Sequence, residues 1–257
     1  MSAVSALTML SEVGRRDNNE DSVFASPRLV AVADGVGGAA AGEVASRLAI
    51  HKIIGLDKRR LTASLEQELS DTIADANAVI AFAGTCDARH AGMGTTLTAV
   101  ALSNAGAYVV ANVGDSRTYL LRGGRLQRLT RDDSLVQDLI DQGMLSQEDA
   151  RRHPHRSVVL EALDGIDRPL PPVRSVRARA GDRLLLCSDG ITDYLTDAEV
   201  AGVLRIDDAP VAVRRLIDSA LERGSADNLT ALIADVVIRT QSRDGWLDAL
   251  PPARDPH

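Results

Sequence analysis

The chain has 257 residues, of which 45% are hydrophobic but only 2% aromatic, and its formal net charge is −7. That length suffices for one large domain or two small ones, with a core filled by Ala, Val, Leu and Ile. The acidic balance argues against nucleic acid and anionic membranes as partners. With no basic-then-apolar leader and no 18-residue apolar run, the expectation is a soluble cytoplasmic protein.

Residues 7 to 13 read as an opening strand, followed by Gly14 and the polar segment from Arg15 to Asp21. Ser22 to Ala25 and Leu29 to Ala33 predict a hairpin of short strands. Helices follow from about Gly42 to Ile54 and from about Ser64 to Phe82. In the second, Leu65, Leu69, Ile73, Ala76 and Ile80 recur every three or four residues. From Gly94 the period changes to strand-like runs: 95–102, 107–113, 117–121 and 125–129. Asn104-Ala105-Gly106 and Gly123-Gly124 supply turns, and four such strands in succession predict an antiparallel meander.

Residues 134 to 152 read as two short helices broken at Gly143, and the polar stretch to Pro172 is long for a connection, which marks a functional flap. Strands resume at 173–178 and 183–188. Helices near 197–204 and 210–223 precede a last strand at 229–238. The tail from residue 241 holds three prolines and little pattern, and mobility is expected there. No internal repeat divides the chain, so residues 1–240 read as one domain.

Carboxylates recur at strand ends. LVAVA ends in Asp34-Gly35, YVVANV in Gly114-Asp115-Ser116, and RLLLCS in Asp189-Gly190, while the last strand begins after Asp227-Asn228. If that strand runs antiparallel to residues 183–188, Asp189 and Asp227 meet at one sheet edge, where Asp34 can join them. Clustered carboxylates repel unless a cation lies among them, and Mg²⁺ or Mn²⁺ prefers oxygen donors. The five histidines are absent from these motifs, which disfavours zinc. Taken singly, each Asp is an ordinary turn residue.

A competing pattern, Gly35-x-Gly37-x-x-Ala40, fits a dinucleotide fingerprint and would imply a nicotinamide-dependent oxidoreductase. Neither Cys86 nor Cys187 begins a Cys-x5-Arg nucleophile signature, since Gly92 and Asp193 stand six residues on.

The ordered set Arg16-x-x-Asn19-Glu20-Asp21, Asp34-Gly35-x-Gly37-Gly38, Gly94-Thr95-Thr96, Gly114-Asp115-Ser116-Arg117, Ser188-Asp189-Gly190 and Asp227-Asn228 resembles the bacterial metal-dependent serine/threonine protein phosphatases of type 2C. The resemblance runs from about residue 7 to 238. It implies an α+β fold, a four-layer α-β-β-α sandwich of two antiparallel sheets, forming a catalytic domain over residues 1–240 with a flap at about 134–172. It implies Mn²⁺ or Mg²⁺, two per site. Asp34 would bridge both ions and the Gly35 carbonyl would bind the first. Asp189 and Asp227 would bind the second, and Glu20 and Asp21 would act through metal-bound waters. Asp115 would form a third, weaker site with Asp189, and Arg16 would hold the phosphate. The Gly94-Thr95-Thr96 run is expected to support the site from behind.

The activity implied is hydrolysis of phosphoserine and phosphothreonine in proteins by a water shared between the two ions. The implied partners are phosphoproteins and a cognate Ser/Thr kinase, and a monomer is expected. Val36 stands where many eukaryotic relatives carry a histidine, so no side chain is assigned as general acid and a metal-bound water is the expected proton source. Relatives often read Asp-His-Ser where this chain has Asp132-Asp133-Ser134, and they carry an arginine in the flap near Leu160-Glu161. A flap glutamate is expected to repel acidic phosphopeptides. That departure supports an alternative, a weakly active phosphoprotein-binding regulatory module of the same fold.

Overall fold

Strand residues alternate between two apolar surroundings, and this alternation stacks the chain into layers. The computed structural model describes residues 2–37, 41–169 and 172–238. One sheet has the order β1 (Ser2–Glu12), β11 (Leu229–Ile238), β10 (Arg183–Cys187), β7 (Arg117–Arg122), β8 (Arg125–Arg128). The other runs β2 (Asp21–Ala25), β3 (Leu29–Val36), β5 (Leu97–Leu102), β6 (Ala107–Val113), β9 (Arg174–Arg177), with the short β4 (Gly94–Thr95) also paired to β3.

Side chains of period two sort themselves to opposite faces. Val30 and Val32 of β3 meet Leu184 and Leu186 of β10 and Leu232 of β11 between the sheets. Their neighbours Leu29, Ala31 and Ala33 turn outward against α1 (Ala41–Lys58) and α2 (Leu65–Cys86). On the opposite side, Leu185, Ala231 and Ile233 face α6 (Asp197–Leu204) and α7 (Ala209–Glu222). Helix, sheet, sheet and helix therefore form the four layers expected.

The helices start where their capping residues dictate. The Ser64 hydroxyl accepts from Gln67 N–H at 3.2 Å and opens α2. Thr196 and Glu199 form a reciprocal capping box on α6, and Asp208 caps α7 just ahead of Pro210.

The expected meander is corrected. Strands β5 and β6 pair with each other, and β7 pairs with β8, but the chain changes sheet between β6 and β7. Gly114, at φ +94, makes that turn, and a Cβ there would lie 2.7 Å from a Thr96 methyl carbon. Hydroxyl pairs then join the two sheets: Thr96 with Ser116 at 2.8 Å and Thr98 with Thr118 at 2.7 Å. At the far end the Tyr108 hydroxyl donates to Asp182 at 2.8 Å, and Asp182 also receives Arg122. Every pairing among the described strands is antiparallel, which removes the crossover a dinucleotide site needs. Gly38 and Ala40 of that fingerprint, and the tail from residue 241, lie outside the described residues.

The flap carries α3 (Leu135–Asp141) and α4 (Gln147–Ala150), separated at Gly143 with φ +71. Leu186 is fully buried between the sheets. Leu186→Ala is expected to destabilise the fold by about 2–5 kcal/mol in urea unfolding, as cavity-forming core substitutions do.

Candidate active site

Antiparallel pairing brings the carboxylates together. Cys187 pairs with Ala231 and Ser188 N–H donates to Thr230 O at 3.1 Å, so the end of β10 lies beside the start of β11. Asp189 and Asp227 flank that junction. Asp21 opens β2 opposite Asp34 of β3 in the adjacent sheet. Asp115 sits at the turn that carries the chain from one sheet to the other, and is 7% exposed.

A cavity of about 520 Å³ opens at this end. Arg16, Glu20, Asp34, Gly35, Asp115, Asp189 and Asp227 line it, which gathers seven of the eight expected site residues. The eighth, Asp21, lies just behind, with one carboxylate oxygen receiving the Ser188 hydroxyl at 2.9 Å. Ser157 and Val159 of the flap complete the lining.

The backbone around these groups is held closely. Asn228 donates to the carbonyls of Val13 and Asn18, both at 2.9 Å, and accepts from Glu20 N–H at 2.8 Å. One amide side chain thus fixes the loop that carries Arg16 and Glu20. Thr96 accepts from Asp34 N–H at 3.0 Å, and the Thr95 hydroxyl donates to Asp34 O at 2.9 Å. The Gly94-Thr95-Thr96 run supports the site from behind, as expected. Gly35 packs on Gly42 of α1 so tightly that a Cβ would fall on the Gly42 carbonyl.

The electrostatics are strained by design of the geometry. Loss of solvation, followed by repulsion from Asp21, Asp189, Asp115 and Asp227, raises Asp34 well above the usual carboxylate range. Burial and then Asp115, Asp193 and Asp227 do the same to Asp189. Burial pushes Asp115 up to about 7, with Asp132 and Asp193 adding to it. Burial also raises Asp21 to about 6, against hydrogen bonds from Thr230 and Ser188 that pull it down. Arg16 reaches over the rim and donates to Asp227 at 2.8 Å.

The donor set fits hydrated divalent cations. One oxygen each of Asp21 and Asp189 is buried without a hydrogen-bond partner, an arrangement that costs free energy unless a cation or its water completes it. Among the described residues no three such side chains close on one point as a preformed chelate. Oxygen ligands that hold an ion partly through water need no such closure. The cysteines take no part: Cys86 is exposed elsewhere, and burial pushes the Cys187 thiol up to about 12.

Asp193 is a site residue that motif reading missed. It caps the single turn α5 (Asp189–Thr192) that Asp189 opens, its N–H donating to Asp189 O at 2.8 Å, and its charge repels both Asp115 and Asp189. The four-residue spacing from Asp189 was the available signal. The altered residues also find roles. Asp133 accepts from Gly114 N–H at 3.1 Å, and its carbonyl accepts Leu160 N–H at 2.7 Å, so it ties the Asp115 turn to the flap. The Glu161 carboxylate pairs with Arg168 at 2.9 Å, and Arg168 also holds Asp164 at 2.6 Å. The flap acid thus shares one guanidinium with Asp164, which offsets its charge only in part.

Comparison with known proteins agrees with this arrangement. Residues 12–235 match the family model of protein phosphatase 2C. The serine/threonine protein phosphatase PstP of Mycobacterium tuberculosis is 44% identical over 223 residues, 86% of this chain and 43% of that protein, so the chain spans less than half of that relative's length. The serine/threonine phosphatase stp of Listeria innocua is 36% identical, covering 89% of this chain and 94% of that one. Among solved structures, the catalytic domain of PstP in complex with two manganese ions superposes with a TM-score of 0.85 at 40% identity, over 92% of this chain and all of that one. No described helix is long and apolar enough to cross a membrane. In sequence, layer order and carboxylate placement alike, the chain belongs to the protein phosphatase 2C family.

Proposed function

We propose that the chain hydrolyses phosphoserine and phosphothreonine in proteins, using two Mn²⁺ or Mg²⁺ ions held at the carboxylate cavity, and so opposes a Ser/Thr kinase. The observation that carries this reading is the set of buried, mutually repelling aspartates with unpartnered oxygens on Asp21 and Asp189. The manganese-bound relative supports the same reading.

Asp34 and the Gly35 carbonyl would hold one ion, and Asp189 and Asp227, with Asp34, would hold the other. Glu20 and Asp21 orient the water shell. Asp115, Asp189 and Asp193 form a further acidic niche for a third, weaker ion. When bound, the ions supply a nucleophile from water near neutral pH and neutralise phosphoryl charge during in-line displacement. Arg16, 60% exposed at the rim, swings from Asp227 to grip the phosphate through its planar guanidinium. The flap residues Ser157 and Val159 cover the reacting group. The Glu161–Arg168 contact, shared with Asp164, lessens the flap repulsion on which the alternative of a poorly active regulatory module was based.

Hydrolysis of a phosphothreonine peptide by the wild type is expected to require Mn²⁺ and to stop with chelator. Asp189→Ala is expected to lower kcat/KM by more than the roughly 10–100-fold typical of groups behind a metal ligand. A folded, Mn²⁺-binding wild type that releases no phosphate would sink the enzyme reading.

The same aspartates set a pH dependence in the metal-free protein. Asp21 and Asp115 titrate at about 6 and about 7 in the fold, above the ordinary value of about 3.9 in the unfolded chain. Between those limits the folded state binds more protons, so stability falls as pH rises. These groups stabilise fully below about pH 4, and that contribution is lost as pH rises through 6 to 7. Chelator-treated protein is expected to melt lower at pH 7.5 than at pH 5. Asp34→Asn is expected to raise the melting temperature of the metal-free protein, most at the higher pH, and to abolish the rise that Mn²⁺ produces in the wild type. Calorimetry across pH, with and without Mn²⁺, checks both.

A further inference from the structure

A second cavity, of about 610 Å³, adjoins the first and shares Asp115 and Asp189 with it. Its charge is mixed, with five arginines set among six carboxylates. The catalytic cavity has Arg16 as its one cationic lining residue among those described, and that guanidinium is committed to Asp227. The neighbouring cavity is lined by Arg117, Arg128, Arg151, Arg152 and Arg156.

These arginines form two groups. Arg117 and Arg128 are fixed in the wall by Asp132, at 2.6 and 3.5 Å. The three from the flap are loosely used. Arg151 donates to the Leu195 carbonyl at 3.3 Å, Arg156 stands 3.4 Å from Asp193, and Arg152 is exposed with no ion-pair partner among the described residues. The acids of the same cavity are mostly committed: Asp132 to the wall arginines and Asp197 to the Tyr119 hydroxyl at 3.0 Å, with Asp115, Asp189 and Asp193 facing the metal niche. Glu148, at the mouth, is the remaining opposing charge.

One flap segment spans both cavities, contributing Ser157 and Val159 to the first and Arg151, Arg152 and Arg156 to the second. An extended peptide advances about 3.3 Å per residue, so with its phosphoresidue over Asp34 and Asp189 its next few side chains reach the arginine-lined space.

We propose that this second cavity is the subsite for acidic side chains flanking the phosphorylated residue, and that Arg151 and Arg152 select for them. The inference rests on the phosphatase reading and deepens it by naming a substrate class. Glu161 is turned toward Arg168, which it shares with Asp164, and it does not line the arginine-bearing cavity. Arg152 is exposed and Arg151, half-buried, is held only by the Leu195 carbonyl, so both can pair with incoming carboxylates without breaking a native ion pair.

The test uses the full chain with Mn²⁺ and two phosphothreonine peptides, one with Glu at the three positions on either side and one with Gln at those positions. Wild type is expected to prefer the acidic peptide by about tenfold in kcat/KM, the scale of a few partly exposed ion pairs. Salt at about 0.5 M is expected to erode that preference. In Arg151→Gln/Arg152→Gln the ratio is expected to approach one, and the single exposed change Arg152→Glu is expected to move the preference toward the Gln peptide. A wild-type ratio near one, or a ratio that neither variant changes, overturns the subsite. Hydrolysis of p-nitrophenyl phosphate by the same wild-type sample separates the two readings: activity there without peptide preference overturns the subsite alone. No activity on any of the three substrates overturns the phosphatase reading and the subsite with it.

Discussion

Like charge forced into one place is the constraint on which this molecule depends. Asp21, Asp34, Asp115, Asp189 and Asp227 converge from both sheets, and the fold must hold them against their repulsion and their loss of water. Local contacts, the Ser188 hydroxyl on Asp21 and Arg16 on Asp227, answer only part of that repulsion. The arrangement persists because the strands bearing these residues are anchored elsewhere, by Leu184, Leu186 and Leu232 between the sheets and by the helices outside them. The apolar sandwich supplies the rigidity, and the site spends part of it. A divalent ion converts the same repulsion into affinity, so folding and metal binding are linked through one set of side chains.

The sheets are held in position by unequal means at their two ends. Beside the site, the hydroxyl pairs Thr96–Ser116 and Thr98–Thr118 are small and neutral. Away from it, Tyr108, Asp182 and Arg122 form a charged, larger junction. Neutral groups near the aspartates add no further negative charge, whereas a carboxylate such as Asp182 is tolerable only at the opposite end, where Arg122 answers it.

Much of this was legible in the sequence, and the failures have physical causes. Asp34, Asp115, Asp189 and Asp227 stood out because each terminates or precedes a strongly apolar strand, and antiparallel pairing alone places 189 beside 227. The sheet change at Gly114 was not legible, since Gly114-Asp115-Ser116 is as good a hairpin turn as a crossing. The choice is made by Thr96 and Thr98, which are distant in sequence. Asp193 escaped because α5 is a single turn, too short to carry a period. The pairing of Glu161 with Arg168 was not legible because Arg168 lies in an irregular stretch where spacing predicts no contact.

Asn228 holds the loop of residues 13 to 20 against the start of β11, and β1 pairs along β11 from Glu12 to Ser2. The first strand of the domain is thus completed only by its last. Until residues 228 to 238 have left the ribosome, β1 has no neighbour in its sheet and the loop bearing Arg16 and Glu20 has no clasp. The site is consequently assembled only with the last strand of the domain, when a single asparagine joins the domain's two ends.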